Sequence, residues 1–192
     1  TLLYLCNSDK AIHRSDLIKK SFLELMTTKR GNQLVEIGAY CLMPNHFHLL
    51  LRECGEGGIS LFMQKLSTAY TMYFNKKYER TGALFQGRFK AEHLYNDNYL
   101  KYIFSYIHLN PISLLDKNWK EHKLKDKSKA NKYLDSYSFS SYLDYANENS
   151  RIPEGNILNK SEFPKYFLTS EDFRSNIQEW IDYAATIVKV EP

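Results

Sequence analysis

A chain of 192 residues, 43% hydrophobic and 25% charged, is long enough to bury one full core and has the composition of an ordinary globular protein. It has no apolar run long enough to span a membrane, and the opening TLLYLC is too short and poorly flanked for a signal peptide. The net charge of +4 is uneven: residues 1–112 carry 14 Lys/Arg against 9 Asp/Glu, residues 113–192 carry 12 against 13, and the basic part points to a polyanionic partner.

TLLYLC reads as a strand or the tail of one, upstream of which further residues are expected because the chain starts at Thr1. HRSDLIKKSFLELMTTKRG predicts a helix capped by Ser15 and ended by Gly31, with Leu17, Ile18, Phe22, Leu25 and Met26 on one face. QLVEIGAYCLM and HFHLLLRE read as two strands joined at Pro44-Asn45, a turn dipeptide. ISLFMQKLSTAYTMYFNKKYE repeats apolar residues at steps of three and four (Ile59, Phe62, Met63, Leu66, Tyr70, Tyr73, Phe74) and predicts a long amphipathic helix. LFQGRFKAEHL then reads as a strand, and NDNYLKYIFSYIHLNP as a helix capped near Asn96 or Asp97 and closed by Pro111. Residues 115–132 read as a solvated loop or linker, and SEDFRSNIQEWIDYAATIV as a helix.

Strands alternating with helices around a hairpin predict an α+β class of ferredoxin-like (RRM-like) layout, an antiparallel sheet with helices packed on it. The expected organisation is a core over residues 1–112 and a mostly helical C-terminal extension over 113–192. Cys6, Cys41 and Cys54 form neither a disulfide framework nor a CxxC half-site, which fits a reducing compartment, the cytoplasm.

Chemistry concentrates in MPNHFHLLL and SYIHLNP. Alternation along a strand puts His46 and His48 on one face with Leu50, and Phe47, Leu49 and Leu51 on the other. Two imidazoles on one strand face make a bidentate metal grip, although two polar residues bonded to backbone or water at a strand end would show the same spacing. Tyr106 and Asn110, four apart, lie above one another on a helix and offer a hydroxyl and an amide oxygen. Taken singly, they are equally a rim aromatic and a helix-terminal residue before proline. Imidazoles suit Zn²⁺ as well as they suit other ions, whereas amide and phosphate oxygens favour harder cations. On the predicted basic strand, Gln86, Arg88 and Lys90 alternate on one face and would offer donors to a phosphate backbone or base edges.

These stretches resemble the HUH single-tyrosine transposases of insertion sequences, and most closely the REP-associated tyrosine transposases. MPNHFHLLL resembles the family's His-hydrophobe-His strand, RTGALFQGRFKAEHL its basic strand and YLKYIFSYIHLNP its tyrosine helix, while YSFSSYLDY (137–145) is similar to a patch in the REP-associated group. The resemblance spans about residues 33–145 in matching order. It implies His46, His48 and Asn110 as ligands of Mg²⁺ or Mn²⁺ and Tyr106 as a nucleophile that leaves a 5′-phosphotyrosine. It also implies cleavage and rejoining of single-stranded DNA at hairpin-forming repeats, by a nucleoid-associated monomer or homodimer. Cupin, metallo-β-lactamase and amidohydrolase sites also start from HxH. The long helix after the hairpin, Leu49-Leu50-Leu51 in place of Asp-His, and the chain length speak against them in turn. A non-catalytic nucleic-acid-binding module explains charge and layout but not the four site residues together. A domesticated transposase that only cleaves would share every motif.

Overall fold

The structure, a computed structural model, describes residues 1–11, 13, 19–121, 124, 126–147 and 151–187. Its centre is an antiparallel hairpin, β1 (Val35–Leu42) and β2 (Phe47–Glu53), closed by a turn in which the Met43 N–H donates to the His46 carbonyl at 2.8 Å. Helices pack on both faces, so the molecule is α+β with helices on an antiparallel sheet. Among the described residues the sheet has two strands.

A one-residue bulge at Gly38 organises the hairpin. Ile37 pairs with Leu51 and Ala39 with Leu50, which leaves Gly38 as the extra residue. Before the bulge Val35 and Ile37 face one helical layer, and after it Tyr40 and Leu42 do, while Ala39 and Cys41 turn to the other. β2 has no bulge and keeps strict alternation, with Phe47, Leu49 and Leu51 on one side and Leu50 on the other. A methyl at Gly38 would lie 2.8 Å from the Phe163 ring, so the close approach of that ring requires glycine.

The first layer consists of α1 (Leu2–Leu5), α2 (Phe22–Met26) and α3 (Gly58–Lys77), with Leu3, Met26, Phe62, Met63 and Leu66 buried against the sheet. TLLYLC is therefore helix rather than strand. Short apolar runs do not distinguish the two, and here the run packs against α2 and α3 with Leu3 and Leu5 buried. Ser21 and Glu24 form a reciprocal capping box that starts α2 at Phe22. The longer helix expected around Ser15, Leu17 and Ile18 lies outside the described residues at those positions, and Lys19 has a left-handed φ of 71°.

The second layer begins with α4 (Asp97–Leu109), capped by the Asn96 side chain, which accepts from the N–H groups of Asn98 and Tyr99. A 3-10 turn, Asn110–Leu114, follows with Pro111 at its start. Then come α5 (Lys127–Ser136), α6 (Tyr142–Ala146), α7 (Ile152–Gly155), which crosses to pack on α2 of the first layer, a 3-10 turn at Lys160–Glu162 and, back in the second layer, α8 (Ser170–Ile187). Residues 115–132 are not simply solvated: Trp119, Leu124 and Ala130 are buried and α5 starts at Lys127. Apolar residues this sparse still enter the core because α5 presents Ala130 and Leu134 one turn apart.

The outer edge of β1 shows why no further strand pairs there. The Asn7 side chain bonds the N–H and carbonyl of Val35, Asn159 takes those of Ile37, and the Tyr145 hydroxyl donates to the Gly38 carbonyl. Ser141 takes both groups of Tyr40, Phe139 accepts from the Leu42 N–H, and the Tyr137 hydroxyl donates to the Leu42 carbonyl. The edge is saturated by side chains and by the 137–145 segment, which also protects it from pairing with another chain.

Residues 84–94, expected as a strand, have no regular secondary structure. Only Leu84, Phe85 and Leu94 are half-buried and the rest are exposed, so no alternating face is buried to specify strand register.

Candidate active site

The hairpin turn and α4 bring the motif residues together. His46 closes the turn and is exposed, whereas His48 is the second residue of β2 and half-buried. Their rings meet edge to face with centroids 5.0 Å apart. The His48 ring in turn meets the Tyr106 ring edge-on at 5.7 Å. Asn110, one helical turn beyond Tyr106, is buried and donates through Nδ2 to the Tyr106 carbonyl at 2.9 Å. That bond leaves Oδ1 as the atom Asn110 can offer a ligand.

Neighbours set the tautomer of His46 and the charge state of His48. His46 Nδ1 lies 2.7 Å from Asn45 Oδ1, an acceptor, so in the neutral ring Nδ1 is the nitrogen that carries the proton and Nε2 the one with the lone pair. The Pro-Asn turn thus orients the first histidine as well as turning the chain. Burial, then the neighbouring His46 and Lys120, push His48 down to about 4, so it is a neutral imidazole near pH 7. Imidazole nitrogens and an amide oxygen are donor types that a divalent cation accepts. No group of three His, Cys, Asp or Glu side chains suited to a metal occurs among the described residues.

Two residues that sequence reading did not select complete the surroundings. Lys120 holds its ammonium 3.8 Å from the centre of the Tyr106 ring, a close cation–π contact. Trp119 is buried, and among the described residues its indole N–H has no protein partner. Both line a small depression beside Tyr106 together with Tyr102, Leu109 and Trp180. Only the charge of the 115–132 segment marked it in the sequence, and charge argued for solvent.

The position of Tyr106 depends on His108, which points to the opposite side of α4 and is fully buried. Its Nδ1 faces the Phe104 carbonyl at 2.9 Å and must donate, so Nε2 accepts from the Ser141 hydroxyl at 2.7 Å. The same hydroxyl oxygen accepts from the Tyr40 N–H at 2.9 Å. α4, the 137–145 segment and β1 are thereby tied together. On the far side, Ser105 donates to Asn176 of α8 at 2.8 Å, and Tyr102 packs on Trp180 at 5.2 Å.

Gln86, Arg88 and Lys90 are exposed and are not among the contacts of this cluster. Without a strand they share no pleated face, and Phe89, expected opposite them, is 43% exposed. The segment is instead anchored by Phe85, whose ring packs on Phe47 and Tyr70, each at 6.2 Å.

A family model described as transposase IS200 like matches residues 2–110, more than half of the chain and the whole of the hairpin, α3 and α4. No curated protein and no solved structure matches it.

Proposed function

The chain belongs to the IS200-like transposase family, and on that premise we propose that it cleaves and rejoins single-stranded DNA through Tyr106. The observation that carries this reading is the adjacency of the His46–His48 pair to Tyr106, with Asn110 on the next turn of the same helix.

In the proposed reaction the Tyr106 hydroxyl attacks the scissile phosphorus in line. The bond from phosphorus to the 3′-oxygen breaks, the hydroxyl proton is lost, and the departing oxygen takes up a proton. The products are a 5′-phosphotyrosine and a free 3′-hydroxyl. Because one phosphodiester bond is exchanged for another, a 3′-hydroxyl can reverse the step and join strands. His46 Nε2, His48 and Asn110 Oδ1 would hold a divalent cation, Mg²⁺ or Mn²⁺. Such an ion supplies charge neutralisation at the phosphate when bound. Lys120, against the tyrosine ring, holds that ring beside His48 and adds positive charge where the phosphate must sit.

Residues 1–112 form the catalytic core in this reading and 113–192 its extension. The 137–145 segment supports the REP-associated subtype, with hairpin-forming repeats as substrate and Gln86, Arg88 and Lys90 as exposed donors to its backbone. The test is a denaturing gel of protein mixed with labelled hairpin DNA from the flanks of its own gene, run with Mg²⁺ or Mn²⁺, with chelator, and with Tyr106→Phe. A cation-dependent covalent band that disappears in the variant is the expected result. A band that persists in Tyr106→Phe would remove Tyr106 from its role. Tight binding without any band would favour a binding module.

A further inference from the structure

The apolar stripe of α3 outruns the core it serves. Phe62, Met63 and Leu66 are buried, but from Tyr70 onward the same stripe emerges into solvent. Tyr70 is 40%, Tyr73 54% and, just past the helix, Tyr78 56% exposed. The exposed continuation of the stripe is aromatic, and Tyr70, Tyr73 and Tyr78 in it carry polar tips. The rings lie against one another: Tyr70 stacks on Tyr73 at 6.4 Å, and Phe74 meets Tyr78 at 4.5 Å. Phe85 closes the row at Tyr70.

Cations are interleaved with the rings. Lys77 reaches over both exposed tyrosines, 5.8 Å from the Tyr73 ring and 5.4 Å from the Tyr78 ring, and Arg80 lies 5.7 Å from Phe74. Residues 70–95 contain five Lys/Arg against two Asp/Glu. One of the two acids, Glu92, accepts a hydrogen bond from Tyr99. Two copies of this chain meeting at such a surface would face each other with like charge, whereas a polyanion meets it with opposite charge. Exposed flat rings alternating with cations suit an unpaired strand, whose bases have free faces and whose phosphates carry charge.

We propose that the Tyr73–Lys77–Tyr78 surface is a stacking platform for the bases of single-stranded DNA, outside the candidate active site. Phe47 shows its relation to that site. It stands between the two histidines in sequence, projects from the opposite face of β2, and packs on the Phe85 end of the aromatic row. The strand that reacts at Tyr106 would thus continue around the hairpin edge onto the platform. The inference deepens the reading of the protein as a single-stranded DNA enzyme and rests on it.

The experiment compares the affinity of the full chain for two fluorescent oligomers at fixed salt. One is a thymidine oligonucleotide of about 16 nucleotides, and the other an abasic oligomer with the same phosphates. Tyr73→Ala/Tyr78→Ala should weaken thymidine binding by about tenfold per ring and leave abasic binding unchanged, while Tyr73→Phe/Tyr78→Phe stays near wild type. A thermal melt confirms folding of each variant. Equal thymidine affinity in the alanine variant and wild type would overturn the platform, as would equal wild-type affinity for the two oligomers. Sedimentation gives a further overturning result: a wild-type dimer abolished by the alanine changes with DNA affinity intact would assign the surface to a second copy. Base-dependent binding through the two tyrosines without any covalent adduct at Tyr106 would retain the platform and remove the proposed chemistry.

Discussion

Ser141→Ala tests how the tyrosine helix is held against the hairpin. The hydroxyl donates to His108 Nε2 and accepts from the Tyr40 N–H, and Ser141, Tyr40 and His108 are all buried. Its removal orphans one donor and one acceptor where water does not reach. At about 1–3 kcal/mol for each unsatisfied buried group, the loss is about 3 kcal/mol, a large share of the stability of a single domain. For a chain of this size it corresponds to about 6–12 °C in melting temperature, measured by circular dichroism with a urea titration in parallel. The histidine adds a pH signature. Burial holds His108 down at about 3, against an ordinary 6.5. Above the ordinary value neither folded nor unfolded chain holds the proton. As pH falls from there, the unfolded chain takes it up first. Stability is therefore present above 6.5 and is lost towards 3, by at most about 1.4 kcal/mol per pH unit. His48 contributes in the same direction, and His108→Gln, which still donates and accepts but does not titrate, should flatten only the share due to His108. A Ser141→Ala protein within about 0.5 kcal/mol of wild type would refute this bonding scheme. An acid limb unchanged in His108→Gln would refute the titration.

Three further outcomes follow from other contacts. Arg151 and Asp144 form an ion pair with only 10% and 3% of their side chains exposed, and Arg151 also donates to Tyr40 Oη and the Ser138 carbonyl. Arg151→Ala strands a buried carboxylate and should destabilise by about 3–5 kcal/mol in the same urea titration. Gly58→Ala would place a methyl 2.3 Å from the Leu34 carbonyl oxygen, which is backbone and cannot swing away. It should destabilise by about 2 kcal/mol or more, and a melting temperature equal to wild type would disprove the close contact. Lys120→Met should slow formation of the Tyr106 adduct by about tenfold, from loss of a close cation–π contact and its charge, with Lys120→Arg retaining most of the rate. Equal single-turnover rates for Met and wild type would exclude a role for the ammonium.

What was legible in the sequence was local and periodic. Alternation in HFHLLLRE fixed the faces of β2, because strand side chains alternate whatever surrounds them. The three-and-four spacing located α3, the cap at Asn96 and the proline at 111 bounded α4 where local hydrogen bonding places its ends, and the helix expected in the tail is α8. Spacing also singled out His46, His48, Tyr106 and Asn110; the fold brings the rings of the first three into a row and bonds Asn110 to the Tyr106 carbonyl. Tertiary structure decided what depended on distant partners. TLLYLC became a helix, and the edge of β1 was filled by Asn7, Asn159 and residues 137–145, pairings more than 25 residues apart that no local pattern encodes. Residues 84–94 alternate like a strand yet bury no face, and alternation specifies a strand only where one side is removed from water. Trp119 and Lys120 reached Tyr106 from a segment whose charge argued for solvent, since a single buried tryptophan can outweigh several solvated lysines around it.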